Sequence, residues 1–104
     1  MSAQEDQARF LRCIGEPTRL QMLKLLAAGE RCVGELASLL GREQSLVSHH
    51  LKALKDCRIV RERQEAQKVY YELADARLAR LITDSEALML ELSLCKCQEA
   101  NHEE

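Results

Sequence analysis

Between residues 33 and 54 the chain lays out two short helices and the joint between them. Apolar side chains stand at Val33, Leu36, Ala37 and Leu40, the i, i+3, i+4, i+7 spacing that lines one helix face, and Gly41 follows where a helix end needs a positive φ. After a turn of polar residues, Val47, Leu51 and Leu54 form a second stripe, while Ser48, His49, Lys52 and Lys55 fall elsewhere on the same helix. A short helix, a turn containing glycine and a second helix with a polar, basic outer face make the helix-turn-helix pattern.

The flanking segments complete one small fold. Phe10, Leu11 and Ile14 mark a first helix ended by Gly15 and Pro17. Pro17 suits the first turn of a second helix, whose face of Leu20, Leu23, Leu25 and Leu26 runs to Gly29. From Ile59 the period falls to two: IVRERQ, then EAQ, then KVYYEL, with Val69, Tyr71 and Leu73 alternating with Lys68, Tyr70 and Glu72, which predicts a β-hairpin. Asp75 is placed to cap a last helix carrying Leu78, Leu81, Ile82, Leu88, Met89 and Leu92. That helix is longer and more apolar than one small core can use, which points to a second copy of the chain packed on it and on the first helix. The expected fold is mainly α with a β-hairpin wing, five helices, homodimeric. With 104 residues the expectation is a single domain over 1–104, frayed only in its final QEANHEE.

Composition removes other classes. Aromatic residues are 3% and Trp is absent, so leucines must build the core, which suits packed helices and not a β-sandwich. No apolar run approaches the roughly 20 residues of a membrane span. The start MSAQEDQARF lacks the basic and apolar regions of a signal peptide, so a cytoplasmic location is expected, where five cysteines imply metal binding or redox chemistry rather than a disulfide framework. The net charge of −2 is unevenly spread: residues 1–41 sum to 0, 42–71 to +3 and 72–104 to −5. The middle third is a basic island beside an acidic tail.

Over nearly its whole length the chain resembles the ArsR/SmtB family of metal-sensing repressors. The resemblance is carried by Glu16-Pro17-Thr18-Arg19-Leu20, by GERCVGELASLLG, by Gln44-Ser45-Leu46-Val47-Ser48-His49-His50-Leu51-Lys52 and by Tyr70-Tyr71-Glu72-Leu73. It implies a dimeric winged helix-turn-helix repressor, not an enzyme, whose partner is double-stranded operator DNA and which lets go when an inducing ion binds. The chain departs from the family at the wing turn, where Gln64-Glu65-Ala66-Gln67 replaces the usual Gly and Arg, and at Ser45, where Pro is common.

Base edges in the major groove are read by donors and acceptors near the exposed start of the second helix of the motif, which selects Gln44, Ser45, Ser48 and His49. Arg42, Lys52, Lys55, Arg61, Arg63 and Lys68 are the phosphate-contacting set. His50 falls nearer the apolar stripe and is expected to be packed or hydrogen-bonded.

Soft ions need two to four thiolates converging at about 2.3 Å or somewhat more. Cys95 and Cys97 project about 200° apart on an intact helix, so they share an ion only where the helix ends. The resemblance supplies a further ligand. In the family's cadmium/lead-sensing branch, two thiols four residues apart at the end of the reading helix join a thiol from the other protomer's tail; here those positions are Ala53 and Cys57, and the tail offers Cys95 and Cys97. The implied site is Cys57 with the partner's Cys95 and Cys97, a trigonal set suited to As(III), Cd(II) or Pb(II). Cys13 and Cys32 are secondary candidates, each otherwise a packing thiol; Cys32-Val33-Gly34 is half of the arsenic-sensing Cys-Val-Cys. The last helix lacks the His that the family's zinc and nickel sites use. No permanent cofactor and no small-molecule substrate are expected. A thiol redox or persulfide switch on the same cysteines is the alternative inducer chemistry. A thiol oxidoreductase would need Cys-x-x-Cys beside a βαβ unit, and neither is present.

Overall fold

The computed structural model describes residues 2–93. Its elements are α1 (Ala3–Ile14), α2 (Pro17–Ala27), β1 (Arg31–Cys32), α3 (Val33–Leu40), α4 (Gln44–Asp56), β2 (Val60–Glu65), β3 (Lys68–Leu73) and α5 (Arg77–Ser93). This is the winged helix-turn-helix expected, with five helices. The wing differs by one strand: the sheet is antiparallel in the order β1-β3-β2, because Arg31 and Cys32 pair with Tyr71 and Tyr70. Two residues carry no alternation to read, so β1 has no signature of its own. Its pairing makes β3 the central strand and places Cys32 beside Tyr70, which is half-buried although the period-two pattern turns it outward; Glu72, likewise half-buried, lies against Arg61.

Local chemistry starts and stops each helix. Ser2 and Glu5 form a reciprocal capping box at the head of α1. At α2 the Glu16 carboxylate accepts the Arg19 amide at 2.8 Å, with Pro17 in the first turn. α3 ends on Gly41 at φ 66°, and the Arg42 amide closes back on the Ala37 carbonyl at 3.1 Å. Asp75 accepts the Arg77 amide at 2.8 Å as α5 begins.

α4 ends in the same kind of clasp, with the Ile59 amide donating to the Leu54 carbonyl at 2.9 Å and the Arg58 amide to that of Lys55 at 2.9 Å. The left-handed residue here is Arg58, at φ 64°, a position that glycine usually takes. The hydrophobic contact that accompanies this clasp falls to Leu54 and Ile59, both fully buried.

The core is aliphatic. Met22, Leu23, Leu36, Val47, Leu51, Leu54, Ile59 and Val60 are its fully enclosed side chains, and α2 lies at the centre in contact with every other helix and with β3. Val47, Leu51 and Leu54 are the inner stripe of α4, so the helix is fixed through its back. By contrast α5 buries only Leu78 and Ile82, leaving Leu81, Leu88, Met89, Leu90 and Leu92 exposed, as is Leu11 of α1.

The wing turns in two residues despite having no glycine. Glu65 pairs with Lys68, and Ala66, first of the two, takes φ 55°. An L residue there costs about 1–2 kcal/mol. Ala66→Gly relieves that strain, partly offset by the greater freedom of the unfolded chain. The expected result is a rise in melting temperature of roughly 2–4 °C at fixed protein concentration; a fall would show that the turn does not strain Ala66.

Candidate nucleic-acid interface and thiol pair

α4 divides by burial. Val47, His50, Leu51 and Leu54 face the core, whereas Gln44, Ser45, Ser48, His49, Lys52 and Lys55 are exposed. The four residues selected for base reading therefore share the outer surface of the first half of one helix, with Arg42 exposed in the turn before it. Leu46 is half-buried and lines, with Gly41, Arg42, Glu43 and Ser45, a shallow depression of about 550 Å³ at the helix start.

Most of the basic set is already matched with carboxylates. Lys52 lies 3.4 Å from Asp56, Lys55 3.2 Å from Glu62, and Arg61 2.9 Å from Glu72. Arg63 has the densest surroundings, with Nε 3.1 Å from Glu30, Nη1 2.7 Å from Glu65, and its guanidinium 5.1 Å from the Tyr70 ring centroid. Among the described residues Arg42 and Lys68 form no ion pair. Exposed pairs are worth about 0–1 kcal/mol each, so phosphates can displace them.

His50 is buried, as its place near the stripe predicted, and belongs to a network that the sequence did not disclose. Its Nδ1 lies 4.0 Å from Glu16 Oε1 and 3.4 Å from Arg19 Nη1, and Arg19 Nε donates to the Cys13 carbonyl at 2.8 Å. The end of α1, the start of α2 and the middle of α4 are thereby joined through one guanidinium. The only sequence signal was the run of Arg19 close behind Pro17; its partner thirty-one positions on is a product of the fold.

The cysteines separate. Cys32 precedes α3 in β1, opposite Tyr70, and its amide donates to Glu35 at 3.0 Å. Cys57 is half-buried at the end of α4. Cys13 is buried and stands beside it: its Sγ is 3.8 Å from the Ala53 carbonyl, the same oxygen that receives the Cys57 amide at 3.1 Å. Burial, then the neighbouring Cys57 thiol, push the Cys13 thiol up to about 11. Cys95 and Cys97 lie outside the described residues. Among the described residues no three His, Cys, Asp or Glu side chains converge as metal ligands.

A two-helix reading motif with a hairpin wing, its outer helix polar and basic, defines a winged helix-turn-helix DNA-binding architecture. The model of the arsR family of bacterial regulatory proteins matches residues 16–62. A probable mercury resistance operon repressor of Streptomyces lividans is 40% identical over 78 residues, 75% of this chain and 62% of that protein. An uncharacterized HTH-type transcriptional regulator of Methanocaldococcus jannaschii is 39% identical over 83 residues, 79% of this chain and 93% of that protein. Among solved structures, the homodimeric winged helix-turn-helix DNA-binding domain of a possible ArsR-family regulator from Mycobacterium bovis superimposes with TM-score 0.78 at 34% identity, covering 85% of this chain and 82% of that one. The chain belongs to the ArsR family, a family of transcriptional regulators and not of enzymes. It spans about six tenths of the length of the mercury resistance repressor. No helix among the described residues is long and apolar enough to cross a membrane.

Burial lowers the His50 pKa, aided by Arg19, His49 and Arg42 and opposed by Glu16. A histidine held neutral in the fold stabilises it above the unfolded pKa of about 6.5, and that contribution is lost as pH falls below it. Melting temperature is accordingly expected to drop between pH 7 and 5.5 more steeply in the native chain than in His50→Gln; parallel profiles would remove His50 as the source.

Proposed function

We propose that the chain is a homodimeric, cytoplasmic transcriptional repressor whose α4 reads operator DNA and which releases it on binding a thiophilic ion. The observation that carries this reading is the division of α4. Its apolar stripe is locked in the core while Gln44, Ser45, Ser48 and His49 face outward together. Side-chain amides, hydroxyls and imidazoles offer the donors and acceptors that base edges require. Arg42, Lys52, Lys55, Arg61, Arg63 and Lys68 surround them as phosphate contacts.

The exposed leucines of α5 and Leu11 of α1 form the dimer surface, as the homodimeric Mycobacterium bovis relative supports. Residues 1–104 act as one domain. The inducing ion, As(III), Cd(II) or Pb(II), is held by Cys57 with Cys95 and Cys97 of the opposite protomer, and no cofactor is permanently bound. An ion tying the end of α4 to the other protomer's tail changes the separation of the two reading helices, which must match successive major grooves. To act as an inducer it must bind the DNA-incompetent arrangement more tightly, typically by about 1–3 kcal/mol.

Gel-shift titration of the chain on its own promoter region tests this. Apo-protein affinity is expected to fall with salt; Arg42→Ala, at a cation without a carboxylate partner among the described residues, should lower the salt slope by about 1, and Gln44→Ala or His49→Ala should each cost about 1–3 kcal/mol of specific binding. Cys57→Ser and Cys97→Ser should each abolish release by the inducing ion, and release that survives in both variants sinks the proposed ligand set. Leu88→Glu is expected to leave monomers in sedimentation, where the parent chain gives dimers.

A further inference from the structure

We infer that Cys13 and Cys57 of one protomer form a two-thiolate site for a soft d10 ion that prefers linear sulfur coordination, with Hg(II) as its representative. The inference rests on the soft-ion reading above and gives that reading a second ligand set, sharing Cys57.

The geometry supports a pair and no more. Both residues meet at the Ala53 carbonyl, Cys13 through its Sγ at 3.8 Å and Cys57 through its amide at 3.1 Å. The two thiols act on each other electrostatically, and the Sγ of Cys13 bonds a backbone carbonyl, not a carboxylate or imidazole. Among the described residues no third ligand-bearing side chain joins them. As(III), Cd(II) and Pb(II) seek three or more donors, which this pocket does not supply. An ion satisfied by two sulfurs needs nothing further.

Charge selects in the same direction. Two thiols and one Hg(II) give a bis-thiolate complex and two released protons, each Sγ exchanging its S–H bond for an S–Hg bond with no change of oxidation state. The complex is neutral, and a neutral group is what an aliphatic setting accepts without an uncompensated buried charge. Cys13 is 6% exposed and belongs to the same hydrophobic core cluster as Ile14, Leu54 and Ile59. A cavity of about 400 Å³ lined by Asp6, Arg9, Phe10, Asp56, Cys57 and Arg58 opens beside the half-buried Cys57 and gives the ion its entrance.

The position also bears on the reading helix. The carbonyl of Cys13 holds Arg19 Nε at 2.8 Å, and Arg19 Nη1 lies 3.4 Å from His50 Nδ1 in α4. An ion that draws Cys13 toward Cys57 moves the acceptor at one end of that connection.

The test uses the full chain with Cys32→Ser, Cys95→Ser and Cys97→Ser, so that only Cys13 and Cys57 remain. It is loaded anaerobically with mercuric chloride and challenged with excess glutathione; retained mercury is counted, and its sulfur neighbours are read by X-ray absorption. The expected result is one mercury per chain with two sulfur neighbours. Adding Cys13→Ser should reduce retention at least tenfold, with the unloaded melting curve recorded to show that the variant folds. Should it not fold, Cys57→Ser, at the more exposed position, must show the same loss. Three sulfur neighbours, mercury bridging two chains, or unchanged retention in the folded single variants would overturn the inference. So would a Cys13–Cys57 disulfide formed under peroxide in a chain that retains no mercury when reduced. No DNA enters this measurement, so failure of operator release by As(III), Cd(II) or Pb(II) counts against the earlier reading alone.

Discussion

The burial of Val47, Leu51 and Leu54 against α2 and α3 is the constraint from which the rest follows. A helix that presents polar side chains to a partner has to be held from behind, because its outer residues contribute nothing to its placement in the free protein. Each enclosed aliphatic side chain contributes about 1.5–3 kcal/mol through removal from water. Those three residues set the rotation of α4 about its axis, and with it the direction of Gln44, Ser45, Ser48 and His49. The clasps around Gly41 and Arg58 then fix where the chain enters and leaves, so the turn before α4 and the wing after it have fixed starting directions.

Helical periodicity disclosed α3 and α4 almost to the residue, since a stripe buried against a single core leaves its spacing in the sequence. The hairpin was equally open, as β2 and β3 alternate. β1 was not, because two residues are too few to show a period and their strand character comes wholly from β3. The capping box at Ser2 and Glu5 was written in the sequence as S-x-x-E and sets the start of α1 earlier than its apolar residues alone would place it. The wing turn shows the opposite relation, for the absence of glycine argued against a tight turn and the strand pairing imposed one at Ala66.

The outward set on α4 could be chosen from sequence because surface and core alternate regularly on a helix. The neighbourhood of Cys13 could not. A single cysteine on an apolar stripe reads as packing, and Cys13 is indeed packed; what it packs against depends on the crossing of α1 over the end of α4, a contact between residues forty positions apart. The Arg19 bridge was hidden for the same reason. Glu16 is a local partner three residues back, but the Cys13 carbonyl and His50 come together around the guanidinium only when three helices meet.

The carboxylates opposite Lys52, Lys55, Arg61 and Arg63 give the surface a property that its count of basic residues conceals. Each acts as a counterion built into the chain. When a phosphate takes its place, the freed carboxylate collects a small cation from solution, so fewer ions leave the complex than the number of contacts formed. Were a polyanion to bind through these pairs, its affinity would respond to salt less than the count of basic residues implies.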